Sequence, residues 1–191
     1  MKQSTAAFIL NRMMGWTGQD GFPKEGKALF LGVPHTSIWD FVVSYLYARS
    51  QGGQINILIK EKFFVWPFAG MLRRAGAIPL RGKSTAAAGG TVYQMIEAFK
   101  EHDNIMMGIA PEGTRKPVKR WKTGFHAIAA RAGVPVYAGY IDWGSKKVGY
   151  GEIFPLTDDP QADMIRLQQH YKELGVKAKF PEKFVFDDSV K

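Results

Sequence analysis

Short apolar runs alternate with amphipathic stretches along the whole chain, and this alternation restricts the fold more than any single residue does. Each run is short enough for a buried strand, and each following stretch has apolar residues at three- and four-residue spacing. The pattern predicts an α/β fold, with a mostly parallel or mixed central sheet flanked by helices. Strands are predicted over 28–33, 55–59, 76–80, 105–110, 134–141 and 147–154. Helices are predicted over 38–50, 84–100, 123–132 and 160–174, the second with Val92, Met95, Ile96 and Phe99 on one face. The aromatic-rich segment 62–74 reads as a helix or a pair of turns. Residues 4–15 read as a short helix carrying Phe8, Ile9, Met13 and Met14 and ended by Gly15.

No repeat, low-complexity tract or long linker divides the 191 residues, so 1–191 is expected to form one domain. The chain has no cysteine, which removes disulfides, thiolate nucleophiles and cysteine-ligated zinc. A net charge of +9 favours anionic partners: phospholipid head groups, phosphorylated substrates or nucleic acid. No run approaches the roughly 20 apolar residues that span a bilayer. Near the N-terminus, Ala6-Ala7-Phe8-Ile9-Leu10 is cut short by Asn11 and Arg12, so a signal peptide is not expected and a cytoplasmic protein is.

Two segments carry chemistry-bearing residues. The first is Val33-Pro34-His35-Thr36-Ser37-Ile38-Trp39-Asp40, where a predicted strand hands over to a helix. Within one helix, five residues at about 100° each would leave His35 and Asp40 roughly 140° apart. They meet only if His35 lies in the loop and Asp40 in the first helical turn. Pro34 before the helix and Ser37 as N-cap fit that arrangement. A carboxylate on one imidazole nitrogen leaves the other free to take a proton. The same spacing also reads as a capping box with Asp40 at its third position, a purely structural role.

The second segment is Ile109-Ala110-Pro111-Glu112-Gly113-Thr114-Arg115, at the end of another apolar strand. Gly113 permits a positive φ or close backbone approach, Thr114 supplies a hydroxyl, and Arg115 offers a fork suited to phosphate. Glu112 is placed to hold the arginine or an acceptor hydroxyl. Alone, this stretch reads equally as a surface turn with a local Glu–Arg pair.

Together, these segments resemble the glycerophospholipid acyltransferases. His35-Thr36-Ser37-Ile38-Trp39-Asp40 matches that family's His-x4-Asp block, and Pro111-Glu112-Gly113-Thr114-Arg115 matches its Glu-Gly-Thr-Arg block. Gly76-Ala77-Ile78-Pro79-Leu80-Arg81 resembles the glycine-to-arginine block between them, and Val134-Pro135-Val136 resembles a late Val-Pro-Val strand. The likeness runs from about residue 28 to 155. Two positions depart from the pattern: Leu80 stands where an acidic residue usually precedes the arginine, and Ala110 stands in place of an aromatic.

The resemblance, to a 1-acylglycerol-3-phosphate acyltransferase or a close lysophospholipid acyltransferase, implies transfer of a fatty acyl group from a thioester donor to a lysophospholipid hydroxyl. The donor would be acyl-CoA or acyl carrier protein. His35 would be the general base and Asp40 its orienting partner. Arg81, Glu112, Gly113, Thr114 and Arg115 would bind the acceptor. No metal or further cofactor is implied, and backbone N–H groups near the helix start are expected to stabilise the oxyanion.

Such substrates require contact with a bilayer. Phe63, Phe64, Trp66 and Phe68, flanked by Lys60, Lys62, Arg73 and Arg74, are expected to meet an anionic membrane surface, with 4–16 as a second docking patch. The enzyme would then be cytoplasmic and peripherally bound to the cytoplasmic membrane. The alternative reading of these aromatics is core. His102, His126 and His170 have no metal-ligand spacing and are given no role. Lys116, Lys119, Arg120 and Lys122 surround Trp121 as either a phosphate site or a solvated loop. The competing functions are acyl transfer to an amino-acid lysolipid or a lipid A-type sugar, and a basic nucleic-acid-binding domain, for which no recognition motif is present.

Overall fold

The computed structural model describes residues 1–19, 21–80 and 90–190. Five strands form a parallel sheet: β2 (Lys27–Leu31), β3 (Asn56–Lys60), β4 (Ala77–Leu80), β5 (Ile105–Ile109) and β6 (Val136–Tyr137), in the order β4-β3-β5-β2-β6. A smaller mixed sheet joins β1 (Thr17–Gly18), β8 (Lys147–Gly149) and β7 (Tyr140–Asp142). The helices are α1 (Gln3–Ala7), α2 (Ile38–Ser50), α3 (Phe68–Arg74), α4 (Gly90–Glu101), α5 (Gly124–Ala132) and α6 (Pro160–Leu174). The predicted α/β class, with a parallel sheet flanked by helices, is the one observed.

Alternation along β2 sorts its side chains between two layers. Leu29 and Leu31 pack with residues of α4, α5 and α6, including Met95, Phe99, Phe125, Ile128 and Leu167. Ala28 and Phe30 face the other way, onto Tyr137 and Tyr150. Gly108 of β5 lets β3 come close: an added Cβ would lie 2.9 Å from the Ile55 side chain.

Helix α2 buries Asp40, Val43, Tyr47 and Ser50, a run at three- and four-residue spacing that forms one stripe. That stripe meets the N-terminal helix and the small sheet through Leu10, Trp16, Ile141 and Val148. Asp40 is therefore carried into the interior by the same periodicity that buries its apolar neighbours.

Three predicted elements differ. The 134–141 strand is two strands, β6 in the main sheet and β7 in the small one. Between them Gly139 passes so close to β2 that a Cβ would sit 2.5 Å from the Leu31 carbonyl oxygen, and the Tyr171 hydroxyl donates to the Gly139 carbonyl at 2.9 Å. The 147–154 strand ends at Gly149, with a single bridge from Ile153 to Tyr137 beyond it. The N-terminal helix turns from α-helical to π-helical over Phe8–Met13. It buries Ala6 and Leu10 against α2 while leaving Phe8 and Met13 exposed. Residues 84–89 of the predicted 84–100 helix lie outside the described residues; the helix is seen from Gly90.

Candidate active site

Strands β2 and β5 are adjacent and parallel, with Leu31 opposite Ile109. The loops that leave their carboxyl ends carry His35 and Glu112. This is the sheet edge where α/β proteins place ligand sites.

Two carboxyl groups hold the His35 loop. The His35 N–H donates to Glu112 Oε1 at 2.9 Å, and the Thr36 and Ser37 N–H groups donate to Asp40 Oδ2 at 2.7 Å each. Ser37 Oγ accepts the Trp39 N–H at 3.2 Å, which completes a capping box with Asp40. The structural and chemical readings of this segment are thus compatible. The oxygen that caps the helix also lies 4.0 Å from His35 Nδ1, an ion-pair separation longer than a hydrogen bond. Near the helix start, the N–H groups of His35, Thr36, Ser37 and Trp39 already serve Glu112, Asp40 and Ser37, so these four are not free for the expected oxyanion role.

The other Asp40 oxygen, Oδ1, accepts the Trp143 indole N–H at 2.8 Å across 103 residues. Sequence reasoning missed Trp143, which stands in the turn between β7 and β8 and forms no short-range pattern with His35. Thr36 was missed as well: it is buried, and its Oγ1 accepts the Phe180 N–H at 3.4 Å, tying the C-terminal segment to the loop.

Burial lowers the His35 pKa from its ordinary value; the Asp40 charge opposes this and the Arg115 charge adds to it. The imidazole is therefore neutral, with a free nitrogen able to accept a proton, at neutral pH. Glu112 is 5% exposed, and its Oε2 has no hydrogen-bond partner among the described residues. Burial pushes its carboxyl up to about 8, with the Asp40 charge contributing and the His35 N–H opposing.

A cavity of about 480 Å³ opens at His35 and Asp40 and runs between apolar side chains that include Phe41, Leu58, Val92, Met95 and Phe125. Its volume falls in the span of small-molecule sites. Lys122 is the only lysine or arginine lining it among the described residues. The Lys122 side chain lies over Gly113, which has φ 66: an added Cβ would come within 2.8 Å of Lys122 Cδ. Of the other residues assigned to the acceptor, Thr114 is half-buried with Oγ1 accepting the Lys116 N–H, and Arg115 is exposed. Glu112 faces inward behind the loop and does not line the cavity. Arg81 lies outside the described residues.

The aromatic segment leaves β3 at the same carboxyl edge. It forms a 3-10 turn over Glu61–Phe63 and then α3. Trp66 is 91% exposed, Phe63 and Phe68 are more than half exposed, and Phe64 is half-buried under the Arg73 guanidinium. His126, by contrast, is structural: its Nε2 lies 2.8 Å from the Thr157 carbonyl and 3.3 Å from Asp163, itself fully buried. Among the described residues, no group of three or more His, Asp or Glu is placed to hold a metal ion, and no helix is long and apolar enough to cross a membrane.

A family model described as Acyltransferase matches residues 15–142, about two-thirds of the chain. No curated protein and no solved structure matches it.

Proposed function

The chain belongs to the acyltransferase family, and we propose that it transfers a fatty acyl group from acyl-CoA or acyl carrier protein to the hydroxyl of a lysophospholipid, 1-acylglycerol-3-phosphate first among them. One observation carries this reading: an imidazole with Nδ1 4.0 Å from a buried carboxylate, at the wall of a largely apolar cavity.

His35 Nε2 takes the proton of the acceptor hydroxyl as its oxygen attacks the thioester carbonyl. Asp40 stabilises the imidazolium that forms. The tetrahedral intermediate collapses with loss of the carbon–sulfur bond, and the departing thiolate recovers the proton. Apolar walls suit the acyl chain. Arg115 and Lys122 supply positive charge for an anionic head group, and Glu112 braces the His35 loop. The exposed Phe63, Trp66 and Phe68, with Lys62 and Arg73 beside them, favour contact with an anionic bilayer on the side where the cavity opens.

Labelled acyl-CoA incubated with a panel of 1-acylglycerol-3-phosphate, an amino-acid lysolipid and a lipid A-type sugar, with products identified by mass, tests the reading. The expected product is the diacyl phosphate. Acylation of another acceptor alone would change the acceptor, and no ester product with any of them would overturn the proposal.

A further inference from the structure

Trp143 makes a contact that the reaction above does not account for. Its indole N–H donates to Asp40 Oδ1 at 2.8 Å, while Oδ2 is taken by the Thr36 and Ser37 N–H groups. Asp40 is 2% exposed, so its carboxylate depends chiefly on protein donors. Three donors from two directions fix the plane of the carboxylate, and only the indole acts on the oxygen that the backbone does not hold.

The indole is itself held on several sides. Trp16 meets it edge-on at 4.9 Å between ring centroids, and the Lys179 ammonium lies 4.0 Å from its ring. Its backbone N–H donates to the Lys177 carbonyl at 2.8 Å, and the Lys177 N–H donates to Asp142 Oδ1 at 2.9 Å. Segments from both ends of the chain therefore position one ring against one carboxylate. A residue serving packing alone would not need its single polar atom aimed at a buried charge.

We propose that Trp143 is a positioning residue for the reaction: its indole N–H holds the Asp40 carboxylate in the orientation that serves the His35 imidazole. This rests on the reading of His35 and Asp40 as the catalytic pair. Without the N–H, Oδ1 is unheld, and the carboxylate can turn about the contacts that Thr36 and Ser37 make with Oδ2. Turned away, it stabilises imidazolium less, so the His35 pKa falls, and turnover falls because the pair loses its alignment.

The test compares Trp143→Phe with replacement of Trp143 by 3-benzothienylalanine, which keeps the ring shape and removes only the N–H. Two readouts are taken: steady-state kinetics, and NMR titration of the His35 imidazole. The expected result in both variants is a kcat loss between about 10- and 100-fold, nearly unchanged KM for both substrates, and a His35 titration moved to lower pH. A benzothienylalanine variant with unchanged kcat and an unmoved His35 titration would overturn the proposal, even if its melting temperature fell. Wild-type protein that transfers no acyl group would instead sink the functional reading. The His35 titration needs no turnover, so it would still decide whether the indole tunes the pair.

Discussion

Glu112 Oε1 accepts the backbone N–H of His35 at 2.9 Å, so one buried carboxyl joins the loops that leave β2 and β5, between residues 77 apart in the chain. Its second oxygen has no partner among the described residues, and the group holds its proton up to about pH 8. The brace beneath the His35 loop is thus uncharged over most of the neutral range, which makes stability depend on pH.

Glu112→Gln is expected to be more stable than the wild type at alkaline pH. Below about 4.5 both native and unfolded Glu112 are protonated. Between there and about 8 the unfolded chain releases its proton while the native carboxyl keeps it, so wild-type stability falls across that window. Glutamine keeps the acceptor for the His35 N–H and has no proton to lose. Urea unfolding at about pH 5 and about pH 8 should show the variant gaining on the order of a few kcal/mol relative to wild type. Parallel pH dependence of the two proteins would show that burial leaves Glu112 an ordinary acid.

Asp40→Asn separates capping from chemistry. An amide can satisfy the Thr36 and Ser37 donors or the Trp143 donor, but not both sides, so a stability loss of about 1–3 kcal/mol is expected. Turnover of the folded variant should fall by about 10²–10⁴-fold, because imidazolium loses its counter-charge. Circular dichroism at the assay temperature and kcat together decide the matter. Lost stability with unchanged turnover would leave Asp40 as a helix cap alone.

Much of this site was legible because its signals are local. Pro34, Ser37 and Asp40 lie within one strand-to-helix corner, and a capping box is a short-range pattern; α2 spans Ile38–Ser50 as predicted. Gly113 was readable as a position that permits close backbone approach or a positive φ, and its φ is positive. What could not be read is what the chain brings together from afar. The Trp143 indole, the Phe180 N–H at Thr36 and the inward turn of Glu112 depend on how β7, the C-terminal segment and the sheet edge pack. No spacing records those contacts. The break between β6 and β7 was hidden for a related reason: Val134-Pro135-Val136 and Tyr140-Ile141 form one apolar stretch, and only the close pass of Gly139 over Leu31 divides it.

The rate should depend on pH through His35. Burial and Arg115 hold the imidazole pKa below its ordinary 6.5, so the acid limb of kcat/KM should lie below that value. Arg115→Gln removes one lowering influence and should move the limb upward, alongside any rise in KM for an anionic acceptor. A profile centred above 6.5 in the wild type, or a limb that ignores Arg115, would contradict the electrostatics described here.

Membrane contact predicts a dissociation between binding and folding. Trp66 and Phe68 are exposed, so Trp66→Ala with Phe68→Ala should leave the melting temperature nearly unchanged. Binding to vesicles containing phosphatidylglycerol should fall by about tenfold or more, from the apolar area lost. Neutralising Lys62 and Arg73 should cost about 1 kcal/mol each on anionic vesicles and little on neutral ones. Sedimentation with vesicles of both compositions measures this, and equal binding by wild type and variants would place the membrane contact elsewhere.

The most direct test is the turnover of His35→Ala, measured as ester product formed from labelled acyl-CoA and 1-acylglycerol-3-phosphate by protein with a wild-type circular dichroism spectrum. A general base at this position predicts a loss of about 10²–10⁴-fold or more, with the Glu112 brace and the Asp40 cap intact because both grip the backbone. Turnover within a few-fold of wild type would mean that the imidazole at the cavity wall takes no proton in the reaction.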